Sequence, residues 1–168
     1  MQRRTLLKLS LGAATILALA GGTLSMLRPG LVGGRMGDAA RGVFHAIARA
    51  VLDGSLPAEP ARRDAVLEQH LSRLDDVLAG LPLATQAELS QLLSLLASVP
   101  GRVGLAGLHA GWRDASVAEL QQALQEMRIS SLALRRQSYH ALRDLTNAAY
   151  YADPSTWSLM GYPGPRDI

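Results

Sequence analysis

The sequence predicts an all-α protein, an irregular bundle of about five helices with an N-terminal signal or anchor helix and an extended C-terminal arm. Between residues 38 and 151, apolar residues recur at steps of three and four, the spacing of one face of an α-helix. Glycine, proline and capping residues divide this region into segments of ordinary helix length. No run shows the alternating, β-branched pattern of a strand.

The first element, residues 1–27, begins with an arginine pair ahead of a long uncharged stretch. Such a pair is the address of the twin-arginine export route, which transports proteins that are already folded. The residues that form this predicted export signal are Arg3, Arg4, Leu6, Leu7 and Lys8. The alternative is a chance arginine pair at the start of a membrane helix. We predict a periplasmic protein that interacts with the twin-arginine translocase.

Two outcomes stay open for this leader. Ala18-Leu19-Ala20 fits the small-x-small pattern that a signal peptidase prefers. No charge occurs between Lys8 and Arg28, a span of 19 residues, and roughly 20 apolar residues suffice to cross a bilayer. The leader is therefore either cleaved or retained as an anchor in the inner membrane.

Charge and cysteine content exclude several classes of function. Three of the 17 basic residues lie in the leader, so the remaining 14 balance the 14 acidic residues. Because no clustered positive charge remains, we predict no nucleic-acid partner. The chain has no cysteine, which excludes disulfides, thiolate metal sites and a cysteine nucleophile.

The middle of the chain is predicted to consist of a linker, residues 28–37, and a helical domain, residues 38–151. The linker is predicted to be flexible because four of its ten residues are glycine. Asp38 is a candidate cap for the first helix, which Gly54 ends, and Pro60 suits the first position of the second. Thr85 with Glu88, and Ser116 with Glu119, predict capping boxes for the next two helices. The last helix is predicted from about Ser131 to Tyr151.

The final element, residues 152–168, is predicted to be an extended arm. Four of the seven aromatic residues fall between Tyr150 and Tyr162, among prolines and glycines that prevent a regular helix. Such a strip cannot form its own core. The residues alone leave two interpretations equally open: the aromatics fill a groove of the bundle, or they anchor another protein.

No pattern in the sequence predicts catalysis or metal binding. The histidines His45, His70, His109 and His140 lie on different elements without a ligand at the spacing of a metal site. The carboxylate pair Asp75-Asp76 is predicted on the solvated face of a helix. The glycines from Gly101 to Gly111 do not match a dinucleotide fingerprint. We interpret them as a flexible connection.

Nearly the whole chain resembles the small subunits of flavin-dependent glucose–methanol–choline (GMC) dehydrogenases, the group that includes gluconate 2-dehydrogenase subunit 3. The resemblance rests on the arginine pair, on Ala50-Val51-Leu52-Asp53-Gly54-Ser55-Leu56-Pro57, on Gly111-Trp112-Arg113-Asp114-Ala115 and on Met127-Arg128-Ile129-Ser130-Ser131. Its most specific part is the tail, Tyr151-Ala152-Asp153-Pro154 to Trp157 with Gly161-Tyr162-Pro163-Gly164-Pro165. Some relatives have cysteines, which this chain lacks, so no redox centre is carried over.

The resemblance implies a non-catalytic subunit that escorts a large FAD-dependent catalytic subunit through the twin-arginine route. FAD would belong to that partner, with no cofactor in this chain, and a cytochrome c subunit would accept the electrons. The implied partner-binding residues are Tyr151, Asp153, Pro154, Trp157, Gly161, Tyr162, Pro163, Gly164 and Pro165, with Trp112 and Arg113 as weaker candidates. The alternatives are a stand-alone periplasmic helical protein that binds a lipid or other ligand, and an enzyme in its own right.

Overall fold

A computed structural model describes residues 28–164 of the chain. The prediction of a mostly helical, all-α protein is confirmed. A hairpin of strands β1 (Leu31–Val32) and β2 (Arg35–Met36) precedes six α-helices. These are α1 (Asp38–Val51), α2 (Pro60–Ala79), α3 (Leu83–Ala97), the short α4 (Val99–Gly101), α5 (Val117–Ile129) and α6 (Ala133–Tyr151). A π-helix, Arg102–Ala106, follows α4, and a 3-10 helix, Pro154–Met160, follows α6.

Helix α1 is the centre of the bundle. It contacts α2, α3, α5 and α6, and Val43, Phe44 and Ile47 are fully buried. Around α1, the hairpin contacts both α2 and α3, α6 contacts both α2 and α5, and the π-helix contacts both α3 and α5. Its polar residues Arg41, His45 and Arg49 recur every fourth residue along one partly exposed stripe, and the other sides of the helix are buried. Its alanines, Ala40, Ala46, Ala48 and Ala50, are also buried.

The helix starts follow the sequence signals at two positions and depart from them at two others. Pro60 is the first residue of α2, and the capping box of Ser116 with Glu119 is present at α5. The capping box predicted for Thr85 and Glu88 is wrong, because α3 already begins at Leu83, directly after Pro82. Asp38 is the first residue of α1 and not its cap, which is Gly37.

Residues 28–37, which the sequence predicts as a flexible linker without strands, form the β-hairpin. Gly33 and Gly34 have φ angles of 58° and 79°, and the tight turn between two antiparallel strands requires positive φ at both positions. Leu31 and Met36 are buried. The two glycines therefore define a turn where sequence reasoning interpreted them as flexibility.

The interpretation of Asp75 as a solvated side chain is also wrong, although Asp76 is exposed as predicted. Asp75 is only 6% exposed. One of its carboxylate oxygens accepts a hydrogen bond from the amide of Met36 at 2.8 Å, and the other lies 2.7 Å from the guanidinium of Arg41. A single buried carboxylate thus joins the hairpin, α1 and α2.

Asp75→Ala should destabilise the domain by about 2–3 kcal/mol, since it leaves the buried Met36 amide without an acceptor and removes the closer of the two carboxylates that pair with Arg41. The effect is measured as the change in the free energy of unfolding in urea. Asp76→Ala on the exposed neighbour is the matched control and should change stability by less than about 0.5 kcal/mol. Equal effects of the two substitutions would contradict the role given to Asp75.

Within residues 28–164, no single helix is long and apolar enough to cross a membrane. The pair formed by α3 and the segment Val99–Ala106 has the required length and composition, but its two parts are bent by 89°.

Candidate functional site

The residues after α6 fold back on the helix end instead of extending away from it. The Asp153 carboxylate accepts a hydrogen bond from the Ser155 amide at 2.9 Å and so caps the 3-10 helix. Its other oxygen lies 3.0 Å from the guanidinium of Arg73 on α2. The Ser155 hydrogen bonds, with a smaller contribution from Arg73, hold the pKa of Asp153 below its usual value. The expectation of an extended arm is therefore wrong for residues 154–160.

Two aromatic rings, those of Trp157 and Tyr162, pack against each other at an angle of 59° at the end of this 3-10 helix. The indole N–H of Trp157 donates to the carbonyl of Tyr151 at 2.8 Å. Gly161 has a φ of 68°, and this turn brings the ring of Tyr162 to 5.4 Å from that of Trp157, centroid to centroid. Tyr162 keeps 48% of its surface exposed, while Gly164 contacts the indole edge. We call Tyr151, Trp157, Tyr162 and Gly164 the C-terminal aromatic surface.

Beneath this surface lies a buried layer that fixes its position. The hydroxyl of Tyr150 donates to the carbonyl of Ser55 at 2.9 Å, which ties α6 to the loop after α1. Thr156 is buried and donates to the carbonyls of Tyr150 and Asp153. These bonds fix the start of the 3-10 helix, and with it the base of the C-terminal aromatic surface, against α6 and the loop after α1.

His70 of α2 lies in the same buried layer. It is fully buried, and its ring meets that of Tyr150 edge to face at a centroid distance of 6.0 Å. Within residues 28–164, neither ring nitrogen has a hydrogen-bond partner. Burial, and secondarily the charge of Arg73, lowers the pKa of His70 to about 4. The imidazole is therefore neutral near pH 7, and protonating it destabilises the fold.

Trp112 and Arg113 lie at a different end of the molecule. Trp112 is 7% exposed, and its indole N–H donates to the carbonyl of Leu96 at 2.7 Å. Exposed Arg113 lies beside Gly42, in the first half of α1. Tyr150, by contrast, packs on Leu52, just after the end of α1. Since Gly42 and Leu52 are ten residues apart, about 15 Å along the helix axis, the structure does not bring Trp112 and Arg113 to the C-terminal aromatic surface.

A polar groove that sequence reasoning missed lies between α1, α5 and α6. Its volume is about 400 Å³. Tyr139, Arg143 and Asn147 recur every fourth residue along one wall, and Gln121 and Gln125 form the opposite wall. The four-residue spacing of Tyr139, Arg143 and Asn147 was the feature of the sequence that could have indicated this groove.

Between residues 28 and 164, no three histidine or acidic side chains gather in a group that could hold a metal ion. His140 is exposed beside Tyr139, and His45 is half-buried, with its pKa lowered mainly by burial. Arg3, Arg4, Leu6, Leu7, Lys8 and Pro165 lie outside the described residues.

No known protein family, no curated protein and no solved structure matches this chain.

Proposed function

We propose that this chain is the non-catalytic small subunit of a periplasmic FAD-dependent dehydrogenase of the GMC class, and that it escorts the catalytic subunit through the twin-arginine route. The flavin and the chemistry belong to the partner, and a cytochrome c subunit accepts its electrons. The proposal rests first on the sequence resemblance and on the arginine pair at Arg3-Arg4.

The observation that carries the partner-binding part of the proposal is the exposed ring of Tyr162 packed at a tilt against Trp157. Tyrosine and tryptophan are the side chains most enriched among the energetically dominant residues of interfaces. The Asp153–Arg73 ion pair and the Trp157–Tyr151 hydrogen bond hold these rings before any partner binds. Contacts that fix part of the surface in advance lower the entropy cost of binding relative to an unattached arm.

The first experiment is a pull-down of the tagged full chain from the periplasmic and membrane fractions of its host, with mass spectrometry and a flavin absorption spectrum. We expect a large flavoprotein in equal amount. A monomer without flavin, from cells that express a candidate dehydrogenase, would overturn the proposal. It would favour the alternative of a stand-alone ligand-binding protein, for which the groove at Tyr139 and Arg143 is the candidate site.

Tyr162→Ser should weaken binding of the flavoprotein by at least about tenfold, the loss typical of a dominant interface residue. The substitution removes an exposed ring and leaves the buried layer of Tyr150 and Thr156 in place. The dissociation constant is measured by titrating the purified catalytic subunit.

Ile129→Ser is the matched control for Tyr162→Ser. Ile129 is 67% exposed, lies at the end of α5 and is not part of the C-terminal aromatic surface. Its substitution should leave the affinity unchanged. If both variants bind as the unaltered chain does, the partner does not use the C-terminal aromatic surface.

A further inference from the structure

The outer side of α3 is the least charged surface among the helices. From Leu81 to Gly101 the sequence carries one charged residue, Glu88, whereas α2 carries seven. Leu83, Ala87 and Gln91 recur every fourth residue and are exposed, so they form one stripe along the helix. Leu83 keeps 83% of its surface exposed. We call these three residues the α3 stripe.

The tip of the hairpin adds a second apolar side chain at the same end of α3. Gly34 approaches Ala79 and Gln86, so the turn of the hairpin lies beside the connection between α2 and α3. Val32, next to this turn, is 68% exposed. Arg28 and Arg35 are exposed on the same hairpin. Arg35 lies 3.6 Å from the carboxylate of Asp76, whereas Arg28 adds positive charge beside the apolar side chains, a combination that favours anionic lipid.

The first described residue, Arg28, lies against α3. The carbonyl of Arg28 accepts a hydrogen bond from the hydroxyl of Ser94 on α3 at 2.9 Å. The 19 residues that precede Arg28 in the sequence carry no charge. A membrane that holds those residues is therefore within a few residues' reach of α3.

We propose that the α3 stripe and the hairpin tip lie against the lipid surface of the inner membrane, with Leu83 and Val32 in the interface. Helix α6, which ends at the C-terminal aromatic surface, also packs on α1, and elements on both sides separate it from α3. The lipid-facing and partner-facing surfaces are thus on different sides of α1. The inference rests on the export part of the proposed function with the leader retained as an anchor, and it is independent of the flavoprotein partner.

Because the chain has no cysteine, a label on a single introduced cysteine reports how deeply that one position enters the lipid. We would label Ala87→Cys on the α3 stripe with a polarity-sensitive fluorophore in the full chain. Vesicles of phosphatidylethanolamine and phosphatidylglycerol supply the lipid surface. We expect a blue shift of the emission, loss of quenching by iodide and gain of quenching by spin-labelled lipid.

Ala148→Cys is the matched control, since Ala148 is an exposed alanine on α6. Its label should remain in water and stay quenchable by iodide when vesicles are added. If neither label responds, or both respond equally, the leader alone binds the membrane and the inference is wrong. It is equally wrong if the Ala87 label responds only after the flavoprotein is added, because α3 is then a protein interface.

The same two labelled chains separate this inference from the proposed function. Each would be mixed with the catalytic subunit in the absence of lipid. If the flavoprotein complex is recovered but the Ala87 label stays in water when vesicles are added, the proposed lipid contact is wrong. The escort function is unaffected by that result.

Discussion

Replacing Arg3 and Arg4 together by lysine should leave both this chain and its proposed flavoprotein partner in the cytoplasm. The translocase reads the arginine pair as an address, and a lysine ammonium lacks the planar, forked set of donors that a guanidinium presents. Cell fractionation measures the effect, with antibody detection of both proteins and dehydrogenase activity in the periplasm. We expect loss of nearly all of both signals from the periplasmic and membrane fractions.

The second arginine pair of the chain, Arg62-Arg63 in the first turn of α2, supplies the control. Substituting both by lysine should leave export unchanged, because this pair is not followed by an uncharged run. If the Arg3-Arg4 variant stays in the cytoplasm while the flavoprotein still reaches the periplasm, this chain is exported but is not the escort.

The second large effect is a loss of stability in mild acid caused by His70. The pKa of His70 is about 4 in the fold, against about 6.5 in an unfolded chain. Since the fold favours the neutral imidazole, its contribution is present above pH 6.5 and is lost as the pH falls towards 4. Linkage gives a loss of about 2 kcal/mol between about pH 7 and about pH 5. Urea denaturation at the two pH values measures it.

His70→Leu should remove most of this pH dependence. Leucine is of similar size and leaves no unpaired polar atom, so stability at neutral pH should be equal or higher. The exposed His140→Leu is the control and should lose as much stability in acid as the unaltered chain. A small residual slope is expected in the His70 variant, since burial also lowers the pKa of His45. A full slope in that variant would assign the effect to other groups.

Helical periodicity predicted the five long helices but not what lies between them. Val99–Ala106 is helical, so the interpretation of the glycines from Gly101 onwards as a flexible connection is wrong for Gly101 and Gly104. One face of α2 is turned to the core of the bundle, as the spacing of its leucines requires: Leu67, Leu71, Leu74 and Leu78. The same spacing puts His70 and Asp75 on that face, yet residue type suggested solvent for Asp75. A buried carboxylate is recognisable only with its partners, here the Met36 amide and Arg41, which lie more than 30 residues away in sequence.

For the candidate site, the sequence indicated that aromatic residues are concentrated near the C-terminus, but not which residues they contact in the fold. The aromatic content of residues 150–162 predicted a contact surface, but the fold-back on α6 depends on the Arg73–Asp153 pair between distant elements. Trp112 was a candidate for the same surface. Its hydrogen bond to Leu96 instead gives it a structural position at the other end of α1.

The central position of α1 also sets the order of events during synthesis. This helix is among the first parts of the domain to leave the ribosome, but its neighbour α6 ends about a hundred residues later, and the Tyr150–Ser55 bond joins positions 95 residues apart. At roughly 5–20 residues per second, translation of that interval takes on the order of 5–20 s. During this interval, the arginine pair of the proposed export signal is already synthesised, but the bundle cannot yet fold around α1. Transport of folded protein therefore has to wait for the last helix, and a truncation within α6 should block export even with Arg3 and Arg4 intact.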